Sequence, residues 1–275
     1  MLGAQRTPGR LHQGAVAVFR ACREAVFPSR CLECRAFIPA AARNGGHALD
    51  RSLDGVSLLQ PFFCPSCLRG VMPLDSPFCP RCGVMFKGRA GEDHLCGPCQ
   101  QQPPAFCMAR AAFVYDRALV DVIHCFKYKG KVQLAAPLGR LLRQAYIRFW
   151  SDERVDAILA VPLHGRRLRA RGFNQAELLV RRWKNSPPGP QTPPILSGVL
   201  RRVRATVPQA GLGRRGREAN IRNAFAVSRP QAIAGGHLLL VDDVITTGAT
   251  AAECAAQLLE SGAARVDVLA LARVI

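Results

Sequence analysis

Leu238–Thr250 reads LLLVDDVITTGAT, and its order of residue types decides the fold. Leu238 to Val241 show no polar alternation, so they read as a strand buried on both faces. Asp242 and Asp243 follow where such a strand should leave its sheet. Thr246, Thr247, Gly248, Ala249 and Thr250 then form a small, hydroxyl-rich loop leading into a helix. Thr250 and Glu253 have capping-box spacing, and Gly262 supplies a stop. Ala251, Cys254, Ala255, Leu258 and Leu259 share one face of that helix. A helix start offers unpaired N–H groups and a positive dipole end, which suit a phosphate. Carboxylates just upstream suit ribose hydroxyls or the hydration shell of magnesium, so the implied ligand carries both a sugar and a phosphate.

Working outward, the texture from about Ala111 alternates strands and helices. AAFVYD reads as a strand, VDVIHCFKY as a helix ending at Gly130, and residues 133–150 as an amphipathic helix. DAILAVPLH is a second buried strand, GFNQAELLVRRW a helix from near Asn174, and NSPPGPQTPP a proline-rich surface connection. ILSGVLRRV and AFAV read as strands around the basic segment 204–223, and ARVDVLALARV is the last strand. The pattern predicts an α/β fold with a mostly parallel sheet flanked by helices and a ligand at the strands' carboxyl ends.

Two loops should then lie beside the acidic pair. PLHGRRLRARGFNQ carries His164, Arg166, Arg167, Arg169 and Arg171 at a strand's carboxyl end, where arginine forks suit phosphate. Residues 204–223 have the size of a mobile lid, with Gly211, Gly213 and Gly216 as hinge points and Arg residues that could instead contact nucleic-acid backbone. His124, Lys127, Tyr128 and Lys129 form a smaller cluster able to reach the same mouth. Taken alone, His124 reads as a core histidine.

Four CxxC pairs precede this region: Cys31/Cys34, Cys64/Cys67, Cys79/Cys82 and Cys96/Cys99. Each turn brings two thiolates to one side of a metal, so four pairs make two closed zinc sites. Cys31, Cys34, Cys64, Cys67 and then Cys79, Cys82, Cys96, Cys99 is the simplest pairing, and an interleaved one uses the same residues. An iron–sulfur cluster is the alternative, and redox use lacks a thioredoxin-like context. A zinc with four sulfur ligands has no open position for catalysis and should hold a small module together. Cys22, Cys107, Cys125 and Cys254 lack partners at ligand spacing and read as small buried or half-buried side chains.

The chain has 275 residues and a net charge of +19, with 49% hydrophobic residues. That describes a globular protein with an anionic partner: phosphorylated ligand, nucleic acid or membrane surface. Between Val161 and Arg222 fourteen Arg or Lys face two acids, Glu177 and Glu218. No run approaches the roughly 18 apolar residues of a membrane span. The basic N-terminal segment has no signal-peptide core, so a cytoplasmic location is expected, and twelve cysteines there favour metal over disulfides. The expected organisation is a basic N-terminal segment or helix at 1–27, a double zinc ribbon at 28–104 and the α/β domain at 105–275.

LLLVDDVITTGAT is similar to the phosphoribosyl-pyrophosphate signature of type I phosphoribosyltransferases. The whole order resembles the ComF family of competence-associated, phosphoribosyltransferase-like proteins: double zinc ribbon, FKYKG, VPLHGRRLRARGFNQ, LRRVRATVPQAGLGRRGREANIRNAFAV and acidic motif. The long insertion between Cys34 and Cys64 and the extended N-terminus depart from that pattern. The resemblance implies that Asp242 and Asp243 hold ribose hydroxyls and that Thr246 to Thr250 wrap the 5-phosphate. It makes Pro162, Leu163, His164, Arg166 and Arg167 the pyrophosphate loop. Residues 204–223, with Arg204, Gln209, Arg217 and Asn220, become the flexible catalytic loop. It further implies magnesium bound with phosphoribosyl pyrophosphate and transfer of phosphoribose to an unidentified nitrogenous, nucleobase-like acceptor. Single-stranded DNA and the competence machinery are the implied partners; a non-catalytic DNA-handling module is the other reading.

Overall fold

The computed structural model describes residues 29–39, 56–88, 90–181, 183, 192–207 and 213–275. The expected helix at 11–27, Cys22, most of the insertion before Cys64, Gln209, Gly211 and residues 185–191 of the proline-rich connection lie outside the described residues.

Strands β1 (Ala109–Val114), β2 (Ala157–Ala160), β5 (His237–Ile245) and β6 (Arg265–Arg273) form a parallel sheet in the order β1-β6-β5-β2. Strands β3 (Leu200–Arg202) and β4 (Phe225–Val227) pair antiparallel in a separate two-stranded ladder. The expected strand at ILSGVLRRV therefore divides: its start stays on the edge of the main sheet, and only its last residues form β3 in the separate ladder. The outer edges are covered: Pro73 bridges Phe113 on β1, and Ile195 bridges Ile158 on β2. These short strips occupy ladder groups that a bare edge would offer to another chain.

Alternation along β5 explains why its sequence is apolar on both sides. Leu239 and Val241 enter one core, with α1 (Ala118–Tyr128), α2 (Ala135–Trp150) and α4 (Gln175–Arg181). Leu238 and Leu240 enter the other, with α6 (Ala249–Glu260) and the β3–β4 ladder. Each cysteine cluster joins one of these cores: Cys31 and Cys64 the first, Cys79, Cys82 and Cys99 the second. The two cysteine clusters thus pack onto opposite faces of one sheet.

Two further expectations change. The segment after β2 is not wholly loop: α3 (Gly165–Arg171) forms there, capped by His164 and ended by Gly172 in the left-handed region. It escaped the reading because GRRLRAR has no apolar face, and all its residues are exposed or half-exposed. Part of the expected lid is likewise α5 (Arg214–Ile221), anchored through buried Ile221 in the second core.

Candidate functional site

The register of the sheet creates the site. β2 stops at Ala160, paired with Val241, because Pro162 cannot continue the ladder, while β6 continues alongside Asp242, Val244 and Ile245. The acidic pair therefore lies inside β5 rather than beyond its end, with one flank uncovered. A cleft of about 750 Å³ opens at that flank.

Asp242 and Asp243 form one wall. The Asp243 N–H donates to Asp242 Oδ1 at 2.8 Å. Burial and then the neighbouring Asp243 charge push the Asp242 carboxyl up to about 7, against the pull of Lys127, that N–H and Arg202. Asp243 is 7% exposed and pairs with Lys127 Nζ at 2.7 Å. Burial disfavours the Lys127 charge, yet Asp243 outweighs it and the ammonium is held above its ordinary range. Lys127 sits one residue before the end of α1, the helix expected over VDVIHCFKY, and Tyr115, just after β1, lines the same cleft.

The phosphate-sized loop divides. Thr246, Gly248 and Thr250 line the cleft, whereas Thr247 and Ala249 face a second cavity of about 570 Å³ beside the second cysteine cluster, which Thr246 and Gly248 also border. Gly248 is the cap of α6 at φ 84°, a left-handed conformation that only glycine adopts at little cost. The capping box is absent: Glu253 instead accepts the Asn223 N–H at 2.6 Å, tying the chain before β4 to α6. Gly262 does end the helix, with φ 100° and its N–H on Leu259 O.

Pro162, Leu163 and Arg167 line the cleft, and Arg166 is exposed at the start of α3 without lining it. His164 accepts the Arg166 N–H at 3.3 Å, so its imidazole serves as the cap of α3. Arg204 donates to Asn220 O and Arg222 O, and Asn220 exchanges hydrogen bonds with the Val207 backbone. These two residues knit the 204–223 segment to itself. Neither they nor Arg217 lines the cleft. His124 is exposed against Tyr128, 4.8 Å between ring centroids, rather than in the core. It escaped because helical periodicity alone places it next to apolar neighbours.

Arg202, Asn174 and Gln175 line the cleft without having been singled out. Arg202 is the informative one. Burial and then the Arg167 charge lower its pKa, and its Nε is buried without a partner. Two arginines that raise each other's energy beside a carboxylate pair form an anion site next to a cation site.

The eight CxxC cysteines assemble in the simplest pairing, each group with its sulfurs within 4.8 Å of one another. That donor set suits tetrahedral zinc. Beside the second group, Arg273 is 4% exposed with Nε and Nη1 unpartnered. Such a buried cation, bonded to Cys82, fits a metal held by four thiolates, a group that carries net negative charge. Cys125 and Cys254 are buried as expected, and Cys107 is exposed. Glu153, His237 and Asp267 also converge, but Arg265 lies among them, bonded to Glu153 and Asp267. That group is a hydrogen-bonded anchor at the sheet's amino end.

No protein-family model matches the chain. DNA utilization protein YhgH of Salmonella typhi is 38% identical over 217 residues, covering 76% of this chain and 89% of that protein. Its namesake in Escherichia coli (strain K12) is 37% identical over the same shares. Competence protein F of Haemophilus influenzae is 31% identical over 258 residues, covering 90% of this chain and 98% of that protein. Among the described residues, no helix is long and apolar enough to cross a membrane.

Proposed function

The chain belongs to the family of DNA utilization protein YhgH and competence protein F, and on that premise we propose that its cleft binds phosphoribosyl pyrophosphate with magnesium. The reaction that follows is transfer of phosphoribose to a nitrogenous acceptor. The observation that carries the reading is the joining of three features in one cleft. These are the Asp242–Asp243 pair, the Thr246–Thr250 turn at the start of α6, and the mutually repelling Arg167 and Arg202.

Each part has a distinct task. Asp242 and Asp243 would hold the ribose hydroxyls and the hydrated metal. Thr246, Gly248 and Thr250 would receive the 5-phosphate on backbone N–H groups and hydroxyls. Magnesium, when bound, would offset charge on the pyrophosphate. Arg167 and Arg202 take the charge that grows on the departing oxygen as the bond from ribose C1 to pyrophosphate breaks and the acceptor nitrogen bonds to C1. The acceptor's proton needs a base, and a carboxyl poised about pH 7, as Asp242 is, suits that task. In this reading a basic segment at 1–27 precedes the double zinc ribbon at 28–104, and the transferase domain spans 105–275. A pyrophosphate-release screen of nucleobases and related amines with zinc-replete protein tests turnover. Release that requires both acceptor and magnesium supports transfer; none across the screen contradicts it.

Family membership ties the chain to DNA utilization and competence, which favours a second reading as a DNA-handling module. Exposed Arg166, Arg169 and Arg201 are available for backbone contact. Filter binding to single-stranded DNA across a salt series separates the readings, since phosphate contact falls steeply with salt.

A further inference from the structure

The amino end of the sheet, opposite the cleft, holds a titratable group with no part in the proposed chemistry. His237 opens β5, and its side chain is 13% exposed. Nδ1 lies 2.9 Å from the Arg154 carbonyl oxygen, and Nε2 lies 2.9 Å from Asp267 Oδ2. A carbonyl and an ionised carboxylate can only accept. Turning the ring over would put carbon atoms against both oxygens and leave each without its donor. Neutral imidazole has one N–H and can serve one of them; imidazolium serves both.

The surroundings favour that charged form. Asp267, on β6, is fully buried. Its Oδ2 also accepts Trp150 Nε1 at 2.9 Å and Arg265 Nη2 at 2.8 Å, and its Oδ1 accepts Arg265 Nε at 3.3 Å. Burial opposes the Asp267 charge, but the bonds from His237, Trp150 and Arg265 hold the carboxyl below its ordinary range. The bond to Asp267 in turn raises the His237 pKa, against burial and the Arg265 charge. The other charges around the ring, among the described residues, are Glu153 and Asp156. Glu153 pairs with Arg265 Nη1 at 2.8 Å, and Asp156 accepts Arg154 Nε at 3.1 Å. Asp156 also accepts the His237 N–H at 2.9 Å, and its own N–H donates to His237 O at 2.8 Å. One residue thus holds the segment ahead of β2 and the start of β6 at once.

We propose that His237 is a proton-operated clamp: as imidazolium it ties the segment ahead of β2 and the start of β6 to the start of β5, and losing that proton loosens this end of the sheet. Deprotonation sets a nitrogen lone pair against a carbonyl or carboxylate oxygen and leaves that oxygen short of a donor. The folded pKa lies above the unfolded one. The clamp's contribution to stability is therefore complete below about pH 6.5 and is lost as pH rises through the folded value. The strand it anchors is the one that carries Asp242 and Asp243, yet the clamp stands whatever the cleft binds.

Proton–nitrogen-15 spectra of the zinc-replete full chain test the charge, with the His237 ring assigned by its loss in His237→Gln. Its titration midpoint should lie above the ordinary value of about 6.5; a midpoint at or below that value overturns the proposal. Thermal unfolding of the two proteins tests the clamp. Wild type should melt higher than His237→Gln at about pH 6, and the gap should close towards about pH 9, well past the ordinary histidine range. A gap of the same size at both ends overturns the clamp. Asp242 is present in both proteins, so the difference between them removes its contribution. If His237→Gln does not fold, amide exchange in wild type decides. Over the same pH range the amides of Asp156 and His237 should lose protection relative to those of β1, which lie away from the ring; exchange that keeps step with β1 overturns the proposal.

Discussion

Lys127 and Asp242 set the chemistry of the cleft between them. The Asp242 carboxyl is raised, so the folded chain holds a proton there that the unfolded chain has released. Its contribution to stability is therefore complete below the ordinary aspartate range, near pH 4, and is lost as pH rises towards about 7. Carbon-13 carboxyl titration should show a resonance of the pair with a midpoint about 7. Lys127→Met removes the cation that holds the pair down, so the apparent midpoint of the pair should rise; an unchanged or lower midpoint contradicts the arrangement. Asp242 and Asp243 were legible because their signal is local: an apolar strand followed by two acids. Lys127 appeared only as one of a cluster, and Tyr115, Arg202 and Gln175 gave no sign. Their positions depend on α1, β1, β3 and α4 converging, which no run of neighbours encodes.

At the scale of elements, apolar runs and glycines were read more accurately than basic segments. β5, β6, α2 and α6 follow directly from Leu, Val and Ala spacing. GRRLRAR hid α3 because a helix without an apolar face has no periodic signal, and RRGREANI hid α5 for the same reason. The capping box failed for a different cause: Gly248, in the left-handed region, already turns the chain into α6, and Glu253 is used elsewhere. Placing a β-carbon at Gly248 should cost about 1–2 kcal/mol through backbone strain. Urea unfolding of Gly248→Ala measures it, and a stability equal to wild type would show that the loop relaxes freely. The nearest atoms to such a β-carbon, on Phe106, are 3.9 Å away, so the cost is conformational rather than steric.

Across the whole molecule, the spacing of the CxxC pairs revealed the two clusters but not where they would sit. Spacing carries no information about the surface a ribbon packs on. Because Cys31 and Cys64 enter one core and Cys79, Cys82 and Cys99 the other, zinc is expected to support the sheet itself. Elemental analysis should find two zinc ions per chain, one per cluster. Stripping them with a chelator should lower the thermal midpoint of the entire fold in a single transition; a sheet that melts at its original temperature would separate ribbons from sheet.

The cleft is the meeting point of all three scales: two carboxylates on β5, a turn held by Gly248, and cations delivered from α1, α3 and β3. The central claim is that this cleft holds phosphoribosyl pyrophosphate through the acidic pair. Isothermal titration of that ligand with magnesium into wild type and into the Asp242→Asn/Asp243→Asn double variant tests it directly. Saturable, magnesium-dependent binding that is lost in the variant is the predicted result. Absence of binding to wild type, or equal binding to both proteins, would contradict it.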